Sequence, residues 1–141
     1  MYLYTKRLDP LQPVPLLHQA LQMSLYDEFR AQAAYRRVLE TFGDVAPFTQ
    51  IVHAETQHIA ALLPLFYRYQ VPLPHNDWYP YVIPAPTLAD NCAGGVAAEI
   101  QNAAMYTHLL AFAPPPDVAH VFTSLLSASS MRHLPAFRRC L

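Results

Sequence analysis

Ile51-Val52-His53-Ala54-Glu55-Thr56-Gln57-His58-Ile59-Ala60-Ala61-Leu62-Leu63 places a carboxylate and an imidazole inside an apolar run with helical spacing. Phe48, Val52, Glu55, His58 with Ile59, Leu62 and Phe66 share one face, so Glu55 and His58 point where the apolar residues point. His53 lies roughly opposite Glu55 and is expected to face outward. Burying a carboxylate costs several kcal/mol, on the order of the whole stability of a small domain, unless a partner or a metal compensates it. The remainder of the chain must supply that compensation.

Three further stretches have the same character. The first has Leu17, Leu21, Leu25, Glu28, Ala31, Tyr35, Val38 and Phe42 on one stripe. Another has Leu88, Cys92, Gly95, Glu99, Asn102, Tyr106 and Leu109, and the last has Phe122, Leu126, Ser129 with Ser130, His133, Phe137 and Cys140. Each apolar stripe is interrupted by residues of metal-ligand type. The interruptions repeat: Glu28 and Tyr35 are seven apart, as are Glu99 and Tyr106, and Glu55-Thr-Gln-His58 is matched by Ser130-Met-Arg-His133.

Prolines and glycines set the boundaries. Pro10, Pro13 and Pro15 precede the first run and Gly43 closes it; Pro47 opens the second, and Val71-Pro72 stops it. Thr87 with Asp90 forms a capping start for the third, and Asp117 opens the fourth after Pro114-Pro115-Pro116. The predicted helices are about 14–42, 47–69, 88–112 and 117–139. Residues 70–86 hold five prolines and form a long crossover between helices 2 and 3. Strand signals are weak, so the chain reads as one all-α domain over 1–141, an antiparallel four-helix bundle with one long connection. Pro64 and Pro135 fall inside predicted helices, which they should either bend or end early.

Helix rise tests whether the polar groups meet. Glu28 lies about 18 Å from the end of helix 1 near Glu40, and Pro47 about 17 Å from His58. Glu99 lies about 18 Å from Ala111, and Asp117 about 20 Å from Ser130. In antiparallel pairs these lengths put all four insertions at one level. Cys92 and Cys140 lie seven residues to either side of Glu99 and His133, on inner faces at a second common level, about 10 Å from the first. They are within reach of each other, but two buried free thiols are the expected state in a reducing cytosol.

Asp27-Glu-Phe-Arg-Ala with Tyr35, Phe42-Gly43, Pro47-Phe48 with Ile51-Val52, Ala54-Glu-Thr-Gln-His-Ile59, Gly95-Val-Ala-Ala-Glu-Ile100, and Ala128-Ser with His133-Leu-Pro-Ala-Phe137 carry a resemblance. Over roughly residues 17–140 the chain resembles the ferritin-like superfamily of di-iron carboxylate proteins, most closely its uncharacterised bacterial members, grouped as domains of unknown function. There, one Glu on each of two helices and a Glu-x-x-His pair on each of the other two bind two metal ions. The resemblance implies a ferritin-like fold and metal ligands at Glu28, Glu55, His58, Glu99 and His133. Ser130 stands where the second bridging Glu would be, a departure that should weaken the second metal position most. Iron, as one or two ions, is the implied cofactor, with manganese or zinc acceptable to the same donors. The implied chemistry is that of an oxidoreductase, oxidation of Fe(II) by oxygen or peroxide. Tyr35 and Tyr106 are expected to hydrogen-bond the ligands, to act as nearby electron donors or to be plain core residues, and Asn102 or water to fill the gap left at Ser130.

Two function classes follow. One is a ferritin-like metal-binding protein with ferroxidase or peroxide-reducing chemistry. The other is a metal-free ferritin-like module in which the same residues form a hydrogen-bonded network, acting in assembly through surface such as Trp78, Tyr79 and Tyr81. Hydrolytic or nucleophilic catalysis by the cysteines with a histidine has little support, because nothing flanking Cys140 obviously lowers its pKa. Gly94-Gly95 stands alone inside a helix, so no phosphate-cradling loop is present.

Composition bounds the partners. Apolar residues make up 53% and charged residues 13%, with nine basic and ten acidic side chains and no basic block, which argues against nucleic acid. The longest apolar run is far short of a membrane span, and Met1–Pro10 lacks the pattern of an export signal. A soluble, cytoplasmic protein with metal ions as partners is expected, and a homodimer is compatible with the resemblance.

Overall fold

The computed structural model of the protein describes residues 14–141. The export reading of Met1–Pro10 and the boundary roles of Pro10 and Pro13 lie outside the described residues. The described residues are all-helical, with α1 at Leu16–Phe42, α2 at Phe48–Arg68, α3 at Leu88–Leu110, α4 at Pro116–Ala128 and α5 at Leu134–Arg138. Among them no helix is long and apolar enough to cross a membrane.

The helix ends follow from local chemistry. Gly43 has φ 85°, open to glycine without strain, and its N–H closes α1 on the Leu39 carbonyl at 2.8 Å. Pro47 sits just before the first helical residue rather than in the first turn, and its carbonyl receives the Ile51 N–H. Thr87 Oγ1 accepts from the Asp90 N–H at 3.1 Å, the expected cap of α3, which ends two residues earlier than predicted. Pro64 does not end its helix, and α2 runs on to Arg68.

The predicted fourth helix has a discontinuity. Between α4 and α5, Ser129–His133 form a π-helical turn, with the Leu134 N–H reaching back five residues to the Ser129 carbonyl. Pro135 explains it. In a regular α-helix its ring would crowd the Met131 carbonyl and leave it without a donor, and a widened turn just upstream relieves both problems. The turn re-phases the inner face, so Ser129 and His133 are buried while Ser130 is only partly so.

Facing residues establish how the helices run. Tyr35, Glu28 and Ser24 of α1 meet Glu99, Asn102 and Tyr106 of α3, so these two are antiparallel. Short turns make α1–α2 and α3–α4 antiparallel hairpins, and α2 packs on α4. The crossover lies along α1: Gln22 Nε2 donates to the Pro72 carbonyl at 2.8 Å, Trp78 Nε1 to the Tyr26 carbonyl at 3.0 Å, and Arg37 Nη1 to the Tyr79 carbonyl at 2.8 Å. Trp78 is therefore an anchor tilted against Tyr26 with ring centroids 4.8 Å apart, and not part of an exposed aromatic patch; Tyr79, Tyr81 and Ile83 remain exposed.

The apolar core falls into two parts. One contains Leu21, Leu25, Leu62, Phe66, Tyr106 and Phe122; the other contains Tyr35, Val38, Phe48, Ile51, Cys92 and Phe137. Along every long helix, a polar layer separates them, and that layer holds the residues that interrupt the stripes. At the far end of the second part Cys92 and Cys140 form a disulfide with Cα atoms 5.8 Å apart, which corrects the expectation of free thiols. The expectation relied on cellular redox conditions, whereas the packing of α5 against α3 brings the two side chains together.

Candidate metal centre

Glu28, Glu55, Glu99 and His133 are at most 4% exposed, and the His58 side chain is 12% exposed. His58 Nδ1 lies 2.9 Å from Glu28 Oε1 and 3.5 Å from Glu55 Oε2. His133 Nδ1 lies 3.2 Å from Glu55 Oε1 and 3.1 Å from Glu99 Oε1. The residues thus form two triads, Glu28–Glu55–His58 and Glu55–Glu99–His133, in each of which one ligand atom per residue falls within 4.8 Å of the others. Glu55 belongs to both. The imidazoles of the two triads stack with centroids 5.5 Å apart.

Neighbouring donors hold the outer carboxylates crosswise. Tyr35 of α1 donates to Glu99 Oε2 of α3 at 2.5 Å, and Tyr106 of α3 donates to Glu28 Oε2 of α1 at 2.8 Å. The seven-residue spacing of Glu and Tyr serves this exchange: each tyrosine reaches the other helix's glutamate, not its own. Both phenols titrate well above their usual value, because of burial first and the adjacent carboxylates second, so they remain donors.

Three residues extend the network beyond those the sequence singled out. Ser24 Oγ lies 2.8 Å from Tyr106 Oη, and Asp27 accepts from Asn102 Nδ2 at 2.7 Å. Ser129 Oγ lies 2.9 Å from Glu99 Oε1 and 3.0 Å from the Glu99 carbonyl, and its single proton is shared between these two acceptors. Ser130 is not in the cluster, since its hydroxyl donates back to the Leu126 carbonyl at 2.8 Å. Asn102 does not fill a gap beside Ser130 but donates to Glu28 Oε2 at 2.9 Å. Ser24 was visible one turn before Glu28 on the same stripe; Ser129 was visible only as one of two adjacent serines. His53 is exposed, as expected.

Burial and mutual charge divide the carboxylates. Burial, with the Glu55 charge next, raises the Glu28 carboxyl to about 7. Burial acts upward on Glu55 too, but hydrogen bonds from His133, His58 and Glu28 outweigh it and hold Glu55 below its usual value. Glu28 therefore keeps a proton that Glu55 gives up. Burial by itself would lower both histidines, yet hydrogen bonds to Glu28 and Glu55 lift His58 to about 10, and those to Glu55 and Glu99 lift His133 to about 9.

The donor set is chemically suited to a first-row divalent metal. It combines carboxylate oxygens with imidazole Nδ1 atoms that converge on shared points, and such mixed oxygen and nitrogen donors serve iron, manganese or zinc. The tyrosines, Asn102 and Ser129 fix the carboxylates from behind, as the outer contacts of a metal site do.

No protein-family model matches the sequence, and no curated protein matches it. The structure is similar to the crystal structure of a hypothetical protein from Methanococcus jannaschii DSM 2661, with TM-score 0.78 and 20% sequence identity, covering 94% of this chain and 83% of that one. The likeness shows a shared fold and carries no assignment of activity.

Proposed function

We propose that the protein is a ferritin-like metal-binding protein whose centre is formed by Glu28, Glu55, His58, Glu99 and His133. The observation that carries the reading is the pair of triads sharing Glu55, with both Nδ1 atoms turned inward. Glu28, Glu55 and His58 would hold one ion, and Glu55, Glu99 and His133 a second. Iron bound there supplies one-electron oxidation chemistry toward oxygen or peroxide. The chain's own part is to hold the carboxylates in place through Tyr35, Tyr106 and Ser129 and to keep the layer enclosed between two apolar cores. Ferroxidase or peroxide-reducing activity is the corresponding function.

The test is anaerobic loading of the purified protein with Fe(II) followed by oxygen. Near-ultraviolet absorption from oxidised iron is expected, and Glu55→Gln should abolish it because both triads lose the same residue. Absence of bound Fe(II), Mn(II) or Zn(II) at sub-millimolar concentration would overturn the reading.

A second reading has one observation in its favour. Among the described residues the buried side-chain atoms without a hydrogen bond are Gln22 Oε1 and Asp117 Oδ2, the latter 3.3 Å from Arg68 Nη1, and neither belongs to the cluster. A network whose buried carboxylates are all hydrogen-bonded can persist without metal, as the core of a helical module that acts in assembly. Replacing Glu28 with Gln and Glu99 with Leu separates the two: a metal-free network predicts a loss of thermal stability that is the same in chelator and in added metal, whereas a metal centre predicts a further, metal-dependent stabilisation of the unaltered protein that the variant lacks.

A further inference from the structure

A cavity of about 580 Å³ opens between the start of α2 and the last helical segment, and His133 forms part of its wall. That volume is in the range of small-molecule sites. Ile51, Ala54 and Ala136 give it an apolar lining, and no carboxylate lines it. Arg132 and Arg139 both border it and are exposed, and neither guanidinium forms an ion pair or hydrogen bond with another described residue. Two uncommitted cations beside an apolar hollow select an anion with an apolar body. Guanidinium groups bind carboxylates through paired hydrogen bonds.

His133 connects this cavity with the centre. Its Nδ1 faces Glu55 and Glu99, while its Nε2 has no hydrogen-bond partner among the described residues. A molecule filling the cavity would therefore lie against the outer edge of a residue whose inner edge belongs to the candidate centre.

We propose that this cavity binds an amphiphilic monocarboxylate, with the carboxylate held by Arg132 and Arg139 and the hydrocarbon portion along Ile51, Ala54 and Ala136. Only the ligand's placement beside a metal centre rests on the function proposed above. Binding itself requires no metal.

The test is calorimetric titration of the metal-free, disulfide-intact chain with octanoate, 1-octanol and octylamine. Octanoate is expected to bind one per chain, at least about tenfold more tightly than 1-octanol, with octylamine weaker still. Arg132→Gln with Arg139→Gln should reduce octanoate affinity at least about tenfold and leave 1-octanol unchanged, because both side chains are exposed and the fold does not depend on them. Ala54→Trp, which fills the hollow, should remove binding of both. The proposal is overturned by absence of saturable octanoate binding at millimolar concentration, by octylamine binding equally well, or by unchanged octanoate binding in the arginine variant. Fe(II) titration of the same preparation separates the two ideas: octanoate binding without metal binding supports the cavity and removes the centre, and metal binding without octanoate does the reverse.

Discussion

Ser129 Oγ lies 2.9 Å from Glu99 Oε1 and 3.0 Å from the Glu99 carbonyl, so one hydroxyl holds both the side chain and the backbone of a buried glutamate. Removing it leaves Glu99 with one donor fewer in a place water does not reach. Ser129→Ala is expected to cost about 1–3 kcal/mol, the usual loss when a buried acceptor is left without its hydrogen bond. Ser130→Ala, which removes only a bond to its own helix, should stay within about 0.5 kcal/mol. Urea unfolding of the two variants measures the difference, and equal effects would contradict the π-turn register.

The close approach of Gly95 to Phe137 gives a second expectation. A Cβ on Gly95 would meet the Phe137 ring at 2.7 Å, and the ring is confined by Tyr35 and Phe48, each with its centroid 5.1 Å away. Gly95→Ala should therefore destabilise by about 1–3 kcal/mol, although alanine is the better helix former. Thermal melting decides it, and a stabilised variant would show that Phe137 has room to move.

The fold was legible to the extent that its helices obeyed their usual period. Glu28, Glu55, His58, Glu99 and His133 meet because each occupies an apolar stripe, and rise per residue placed them at one height before any contact was known. Helical period left Ser129 and Ser130 on one stripe, and the match of Ser130-Met-Arg-His133 to Glu55-Thr-Gln-His58 favoured Ser130; the five-residue turn that turns Ser129 inward instead is written only indirectly, in Pro135. The crosswise reach of Tyr35 and Tyr106 was equally hidden, since a spacing within one helix does not reveal which neighbouring helix a side chain meets. The disulfide required the distance between α3 and α5, which composition and compartment do not encode.

Reduction of the Cys92–Cys140 disulfide should loosen the end of the chain. The bond closes a separation of 48 residues, for which the chain-entropy relation gives a stabilisation of about 4 kcal/mol. Cys140→Ser, or dithiothreitol, is expected to lower the denaturation midpoint accordingly. Because Cys140 also borders the cavity beside His133, the reduced protein should bind octanoate more weakly. An unchanged midpoint would show that the α3–α5 contact holds without the bond.

The titrating groups of the centre give metal-free and metal-bound protein opposite responses to pH. His58 is raised to about 10 in the fold, so its contribution to stability is complete below its unfolded value near 6.5 and is lost as pH rises through about 10. His133, raised to about 9, acts in the same direction over a slightly lower window. Glu28 is raised to about 7 by burial and the Glu55 charge, so the fold binds its proton more tightly than the unfolded chain does, and stability falls as pH rises from its usual value toward 7. Glu55 is lowered, and its contribution is lost on acidification instead. The metal-free protein should therefore melt at progressively lower temperature from about pH 6 to about pH 10. Metal must displace the imidazole protons, so affinity for Fe(II) or Zn(II) should rise over the same interval, with protons released on binding. Melting curves in chelator, set beside zinc titrations in two buffers of different ionisation enthalpy, measure both trends. If affinity failed to rise with pH, or no protons were released, His58 and His133 would not be ligands, whatever the stability curve showed.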